Sequence, residues 1–185
     1  MTHVSGDRAR FESVAAAVAD PVHRYALRRT DPETAREVLT DTLLVLWRRL
    51  DDVPPEAELP WCYAVARRCL ANADRAARRR QGLLARIVRL DPPAAAEPQE
   101  PELPDAELHE ALAQLPELDR ELVRLWAWED LAPREIAAVT GLTANAVSIR
   151  LHRARGRLAD LLGAERAPGK GGPTAGQKQA GRRDT

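Results

Sequence analysis

Between Thr143 and Arg157 the chain has no acid and gathers Arg150, Arg153, Arg155 and Arg157. Asn145 and Ser148 lie just before them. A carboxamide pairs in two-pronged fashion with adenine, a hydroxyl bonds to most base edges, and guanidinium groups pair with phosphate. The chemistry on offer is recognition of a polyanion whose bases can be read. Bond-making chemistry has no comparable set. There is no phosphate-cradling glycine loop, and no Ser-His-Asp arrangement is apparent. His3, His23 and His109 have no partners at metal-ligand spacing. Catalytic residues, metal, cofactor and small-molecule substrate are therefore all expected to be none.

The elements that must hold these residues follow from the same stretch, "PREIAAVTGLTANAVSIRLHRAR". Pro133 pre-sets a first helical turn, and Ile136, Ala137 and Val139 form its inward face. Gly141 suits a sharp turn and Thr143 an N-cap. Val147, Leu151, Ala154 and Leu158 then recur as one buried stripe. Two helices joined by a glycine turn make a helix-turn-helix, whose second helix enters the major groove. Counting about 100° per residue turns Asn145, Ser148, Ile149, His152 and Arg153 outward, with Arg150, Arg155 and Arg157 to the sides where phosphates run.

The 185 residues carry no net charge, but the balance is not local. From Trp61 to Arg89 the positives are Arg67, Arg68, Arg75, Arg78, Arg79, Arg80, Arg86 and Arg89, against Asp74 alone. From Asp91 to Glu121 only Arg120 is positive. Two basic surfaces thus flank an acidic segment, a pattern that suits polyanion contact as well as plain solvated faces.

Periodicity is helical throughout. A first helix is expected over about 8–29, with Phe11, Val14, Val18, Val22, Tyr25 and Ala26 inward and Pro21 breaking or bending it. Asp31-Pro32 reads as N-cap and first residue of a second helix reaching Leu50, with Val38, Leu39, Thr42, Leu43, Leu46 and Trp47 inward. The prolines of "DDVPPEAELP" impose a stiff loop. A third helix starts near Leu59 and carries Trp61, Val65, Cys69 and Leu70. Trp61 suits the core better than an exposed wedge. Cys62 and Cys69 share a face, as packing thiols or, less readily, as a redox or metal pair. The fold class is all-α: two small helical domains joined by a flexible linker, the second with the helix-turn-helix. The segments expected are 1–90, a Pro/Glu-rich linker 91–104, a four-helix block 105–163 punctuated by Pro116, Pro133 and Gly141, and a disordered tail 164–185. No run is apolar enough to span a membrane, so membrane insertion is not expected and the chain reads as cytoplasmic.

"LPELDRELVRLWAWEDLAPREIAAVTGLTANAVSIRLHRARGRL" resembles region 4 of the extracytoplasmic-function (ECF) sigma factors. "YALRRTDPETAREVLTDTLLVLWRRL" and "WCYAVARRCLANADRAARRR" resemble region 2 of the same family, in the right order and with a linker between. The resemblance covers about residues 11–162 and implies promoter DNA and core RNA polymerase as partners, with an anti-sigma factor among those it allows. It implies that Glu37, Thr40, Asp41 and Leu44 dock on a coiled coil of the polymerase, with Thr40 standing where relatives often have Gln. It assigns Trp61, Arg67, Arg68, Asn72, Arg75, Arg78 and Arg79 to the minus-10 element, with Arg68 and Asn72 standing where relatives commonly have Asn and Asp. The loop Asp51 to Pro60 would line a pocket for a flipped base. Asn145, Ser148, Ile149, Arg150, His152, Arg153 and Arg155 would read the minus-35 element, with Ala146 and Ser148 where relatives often carry Thr and Lys. The competing reading is a stand-alone helix-turn-helix regulator whose N-terminal bundle dimerises or senses a signal.

Overall fold

Asp31 starts the second helix by capping it. Its carboxylate accepts from the backbone N–H groups of Glu33 and Thr34, each at 3.0 Å, and from the Thr34 hydroxyl at 2.7 Å. Those bonds hold its pKa down at about 2. The computed structural model describes residues 2–88 and 106–166, with side chains over 6–82 and 107–163. The linker expectation, and the tail expectation beyond Arg166, lie outside the described residues, whereas residues 164–166, expected to be disordered, continue the last helix.

Seven helices occur among the described residues: α1 Thr2–Leu27, α2 Pro32–Arg48, α3 Glu58–Val88, α4 Ala106–Ala113, α5 Glu117–Ala127, α6 Pro133–Thr140 and α7 Ala144–Arg166. A short 3-10 turn, Leu50–Asp52, follows α2. No strand occurs among them, in keeping with the expected all-α class.

α1 runs through Pro21 without ending. An interior proline costs a helix about 3 kcal/mol. Val18, Val22, Tyr25 and Ala26 are fully buried on either side of it, and burying a side chain of Val size or larger contributes about 1.5–3 kcal/mol. Packing against α2 and α3 therefore outweighs the lost backbone bond. Trp47 corrects the expected inward face of α2: it is 45% exposed and sits edge-on to Phe11, ring centroids 5.1 Å apart. Its neighbour Leu46 is fully buried and takes the centre of the inward face, about 100° round the helix from Trp47, which lies at the edge of that face. Thr42 is buried and satisfies its hydroxyl on the Val38 carbonyl at 2.7 Å.

The second block turns twice on left-handed residues. Asp130, between α5 and α6, has φ 53°, and Gly141, capping α6, has φ 77°. Glu135 accepts the Ala132 N–H at 2.8 Å and so closes the front of α6, where Ala132 has no side-chain oxygen of its own. Thr143 Oγ1 accepts the Ala146 N–H at 3.2 Å, the expected cap of α7. Ile136, Val139, Val147, Leu151 and Ala154 are buried as the spacing required, and Leu158 packs against them.

The two blocks are packed together. One hydrophobic core runs from Val18 and Tyr25 through Ala66 and Leu70 to Leu122, Ile136 and Val147. α6 lies on α3, and the end of α1 meets α5 and the turn after it.

Candidate nucleic-acid interface

α7 presents its first turns to solvent. Asn145, Ser148, His152 and Arg153 are exposed, and Ile149 is 44% exposed despite being apolar. The Ser148 hydroxyl donates back to the Ala144 carbonyl at 2.9 Å, leaving its lone pairs outward. Two flanking arginines are pre-positioned by α5. Arg150 Nη1 reaches Asp119 Oδ1 at 2.8 Å, and the Arg155 guanidinium lies 4.1 Å from the Trp126 ring centroid. A half-exposed ion pair adds little to stability, but with the cation–π contact it narrows where those cations sit.

α3 carries the other basic surface. Arg68, Asn72, Arg75, Arg78 and Arg79 are exposed, while Trp61 and Arg67 are half-buried. Arg75 donates to Asn72 Oδ1 at 2.6 Å and to the Ala71 carbonyl at 3.1 Å, so this pair is tied together along the helix. Trp61 packs against the core, and the Arg49 guanidinium stands 5.9 Å from its ring centroid. A cavity of about 210 Å³ opens beside it, lined by Arg49, Pro54, Pro60, Trp61, Arg68 and, from α6, Ala138. The loop is pinned from behind: Arg10 Nη2 donates to the carbonyl of buried Val53 at 2.8 Å.

On α2, Glu37, Thr40, Asp41 and Leu44 are all exposed, and Leu44 is 44% so. The Thr40 hydroxyl is spent on the Arg36 carbonyl at 2.9 Å, so this face offers two carboxylates and an apolar residue. Cys62 is buried and its thiol is pushed up to about 12 by burial and then by the Glu58 charge. Burial, then the Asp41 charge, also raise the Cys69 thiol. Neither environment favours a thiolate. Among the described residues no three His, Cys, Asp or Glu side chains gather as metal ligands.

One cluster of charged groups had no signal in the sequence. Arg29 on the α1 side donates to Glu121 Oε2 and to Glu129 Oε1, both at 3.1 Å. Arg28 pairs with Glu129 Oε2 at 2.8 Å, and the Tyr25 hydroxyl donates to Glu121 Oε1 at 3.0 Å. The Arg29 guanidinium stacks 3.6 Å from the Tyr25 ring centroid. The side chains of Arg29, Glu121 and Glu129 are 7, 14 and 2% exposed. Burial, then the Glu121 charge, pushes the Tyr25 phenol far up, so it stays protonated. For Arg29 burial opposes the charge, but Glu121 and Tyr25 outweigh it. Partners more than ninety positions apart share no local pattern, so periodicity cannot pair them.

Residues 105–158 match the family described as Sigma-70, region 4. The chain is 29% identical over 176 residues to the RNA polymerase sigma factor CnrH of Cupriavidus metallidurans, covering 87% of this chain and 91% of that one. It is 30% identical over 171 residues to the ECF RNA polymerase sigma factor SigD of Mycobacterium tuberculosis, covering 86% and 80%. Its fold is similar to that of the sigma factor RpoE solved with the anti-sigma factor NepR from Bartonella quintana, with a TM-score of 0.57 at 22% identity over 84% of this chain and 98% of that one.

Proposed function

The chain belongs to the ECF RNA polymerase sigma factors, and from that membership we propose how its surfaces divide the work of initiation. Such a factor directs core polymerase to specific promoters and helps open them. The chain makes and breaks no bonds itself; it supplies binding free energy in the cytoplasm while the polymerase does the chemistry. The observation that carries this reading is the combination of three solvent-facing surfaces on rigid helices: two basic ones on α3 and α7, and an acidic one on α2.

Residues 1–90 act as region 2 and 105–163 as region 4, joined by the linker 91–104. Glu37, Asp41 and Leu44, with Thr40 between them, dock on a basic helical element of core polymerase. Trp61, Arg67, Arg68, Asn72, Arg75, Arg78 and Arg79 hold the minus-10 strand. Unpairing and unstacking a base costs a few kcal/mol, offset by capture in the loop pocket and by arginine–phosphate contacts. Asn145, Ser148, Ile149 and His152 meet base edges in the minus-35 groove, and Arg150, Arg153 and Arg155 track its phosphates. A protein of the anti-sigma class is a further partner under this reading; RpoE, whose fold is similar, is solved in complex with the anti-sigma factor NepR. The stand-alone regulator is the weaker reading, because the sigma-factor relatives match across both helical blocks.

The test is assembly. The Glu37→Lys, Asp41→Lys double variant keeps the helical circular dichroism of the parent and loses at least 10-fold in affinity for core polymerase. Wild-type affinity in that variant would remove α2 as the docking face.

A further inference from the structure

The cavity beside Trp61 has side-chain walls of one hydrogen-bonding sign. Arg49, Trp61 and Arg68 are its polar side chains, and proline, alanine and valine complete the lining. Guanidinium and indole N–H groups only donate, so these side chains offer donors and no acceptor. Arg49 is already committed: its Nε donates to Asp52 Oδ2 at 2.8 Å, and its guanidinium stands 5.9 Å from the Trp61 ring centroid. Arg68 lies two turns along α3 from Trp61, on the same face. It is exposed, and no carboxylate or carbonyl among the described residues holds it. Its fork of donors is therefore free for a ligand. The facing wall is stiff, because Pro54 and Pro60 fix the backbone of the loop and Arg10 pins Val53 from behind.

We propose that this cavity selects guanine as the flipped base of the minus-10 strand, and that Arg68 makes the selection. This selectivity rests on the sigma-factor reading and deepens it. A base entering ring-first keeps its sugar at the mouth, so the edge far from the glycosidic bond meets the walls. Guanine carries two acceptors there, O6 and N7, at the spacing of a guanidinium fork. Thymine carries one, O4. Adenine and cytosine each bring an amino group, N6 or N4, which sets donor against donor and leaves both unpaired. Trp61 gives any base a ring to pack against, so it holds the base without choosing it. Ala138, the lining residue from α6, presents a methyl group and brings no side-chain acceptor.

The test uses holoenzyme reconstituted from core polymerase and the full chain. Promoter templates from its mapped start sites are randomised over the minus-10 segment, and the transcribed templates are sequenced. The wild-type chain enriches guanine at one position by about 10-fold or more over each other base. Arg68→Ala loses that preference and keeps the preferences at the other positions. A second arm leaves the protein unchanged and places 7-deazaguanine at the selected position of the non-template strand, which removes N7 alone. Open-complex yield falls several-fold with the wild-type chain and does not change with Arg68→Ala. A guanine preference that survives Arg68→Ala would overturn the proposal, as would selection of another base at the position Arg68 controls. A loss shared equally by all templates would overturn it too, because it would make Arg68 a phosphate contact. Should no template yield transcripts beyond those of core alone, the sigma-factor reading fails and takes the guanine pocket with it.

Discussion

Asn145 and Arg150 sit within two turns of each other on α7, and the proposed groove reading gives them different parts of a duplex. Asn145 is exposed near the N-terminus of α7, the end that meets base edges when a helix-turn-helix docks in the major groove. Arg150 is held by Asp119 at 2.8 Å, to the side where the proposed docking puts the phosphates. Asn145→Ala is expected to cost about 1–3 kcal/mol at its preferred base pair and to relax preference there alone. Arg150→Ala weakens all minus-35 sequences alike and lowers the log–log salt slope by about 1. Titrating holoenzyme-bound chain against a minus-35 library at several salt concentrations separates the two, and an exchange of these effects would mean the groove register is rotated. Cys62 makes a second prediction at this scale. Burial holds its thiol protonated well above neutral pH, so it resists a maleimide in the folded chain and reacts fully in denaturant. Rapid native labelling would place it outside the core. The outward residues of α7 could be read from spacing because its buried stripe is regular. The partners of Arg29 could not, since an ion pair between distant segments leaves no periodic trace.

The helices depend on their ends. Asp31 titrates near 3.8 when its N-cap bonds are absent and near 2 when they are made. Its folded-state pKa is depressed, so its contribution is complete above about pH 4 and fades as pH falls toward 2. Asp31→Ala lowers the melting temperature at neutral pH, and the deficit relative to wild type shrinks across that window. A deficit that stayed constant down to pH 2 would rule out the cap. At the other turn, a Cβ on Gly141 meets nothing within 4 Å, so only its φ of 77° demands glycine. Gly141→Ala should destabilise the second block by about 1–2 kcal/mol in denaturant melts, and Gly141→Asn by less. Equal stability of the alanine variant would show that the turn relaxes. Asp31-Pro32, Pro133 and Gly141 announce these boundaries in the sequence because caps and turns are local chemistry. Pro21 misleads for the opposite reason: the packing that carries α1 through it comes from α2 and α3, which a local pattern does not record.

At the scale of the whole molecule, zero net charge conceals surfaces of opposite sign. The isolated chain should therefore bind duplex DNA weakly and with steep salt dependence, and tightly only within holoenzyme. A stable sequence-specific complex of the chain alone would favour the stand-alone regulator. The helix-turn-helix was legible because it rests on a run of contiguous residues. The packing of one block on the other was not, because it depends on which faces meet across the linker. The most direct measurement is reconstitution of the chain with core polymerase on genomic DNA, followed by sequencing of the transcripts' 5′ ends. The expected result is a discrete set of start sites, absent with core alone, sharing one upstream pair of motifs at fixed spacing. Start sites identical to those of core alone would contradict the assignment.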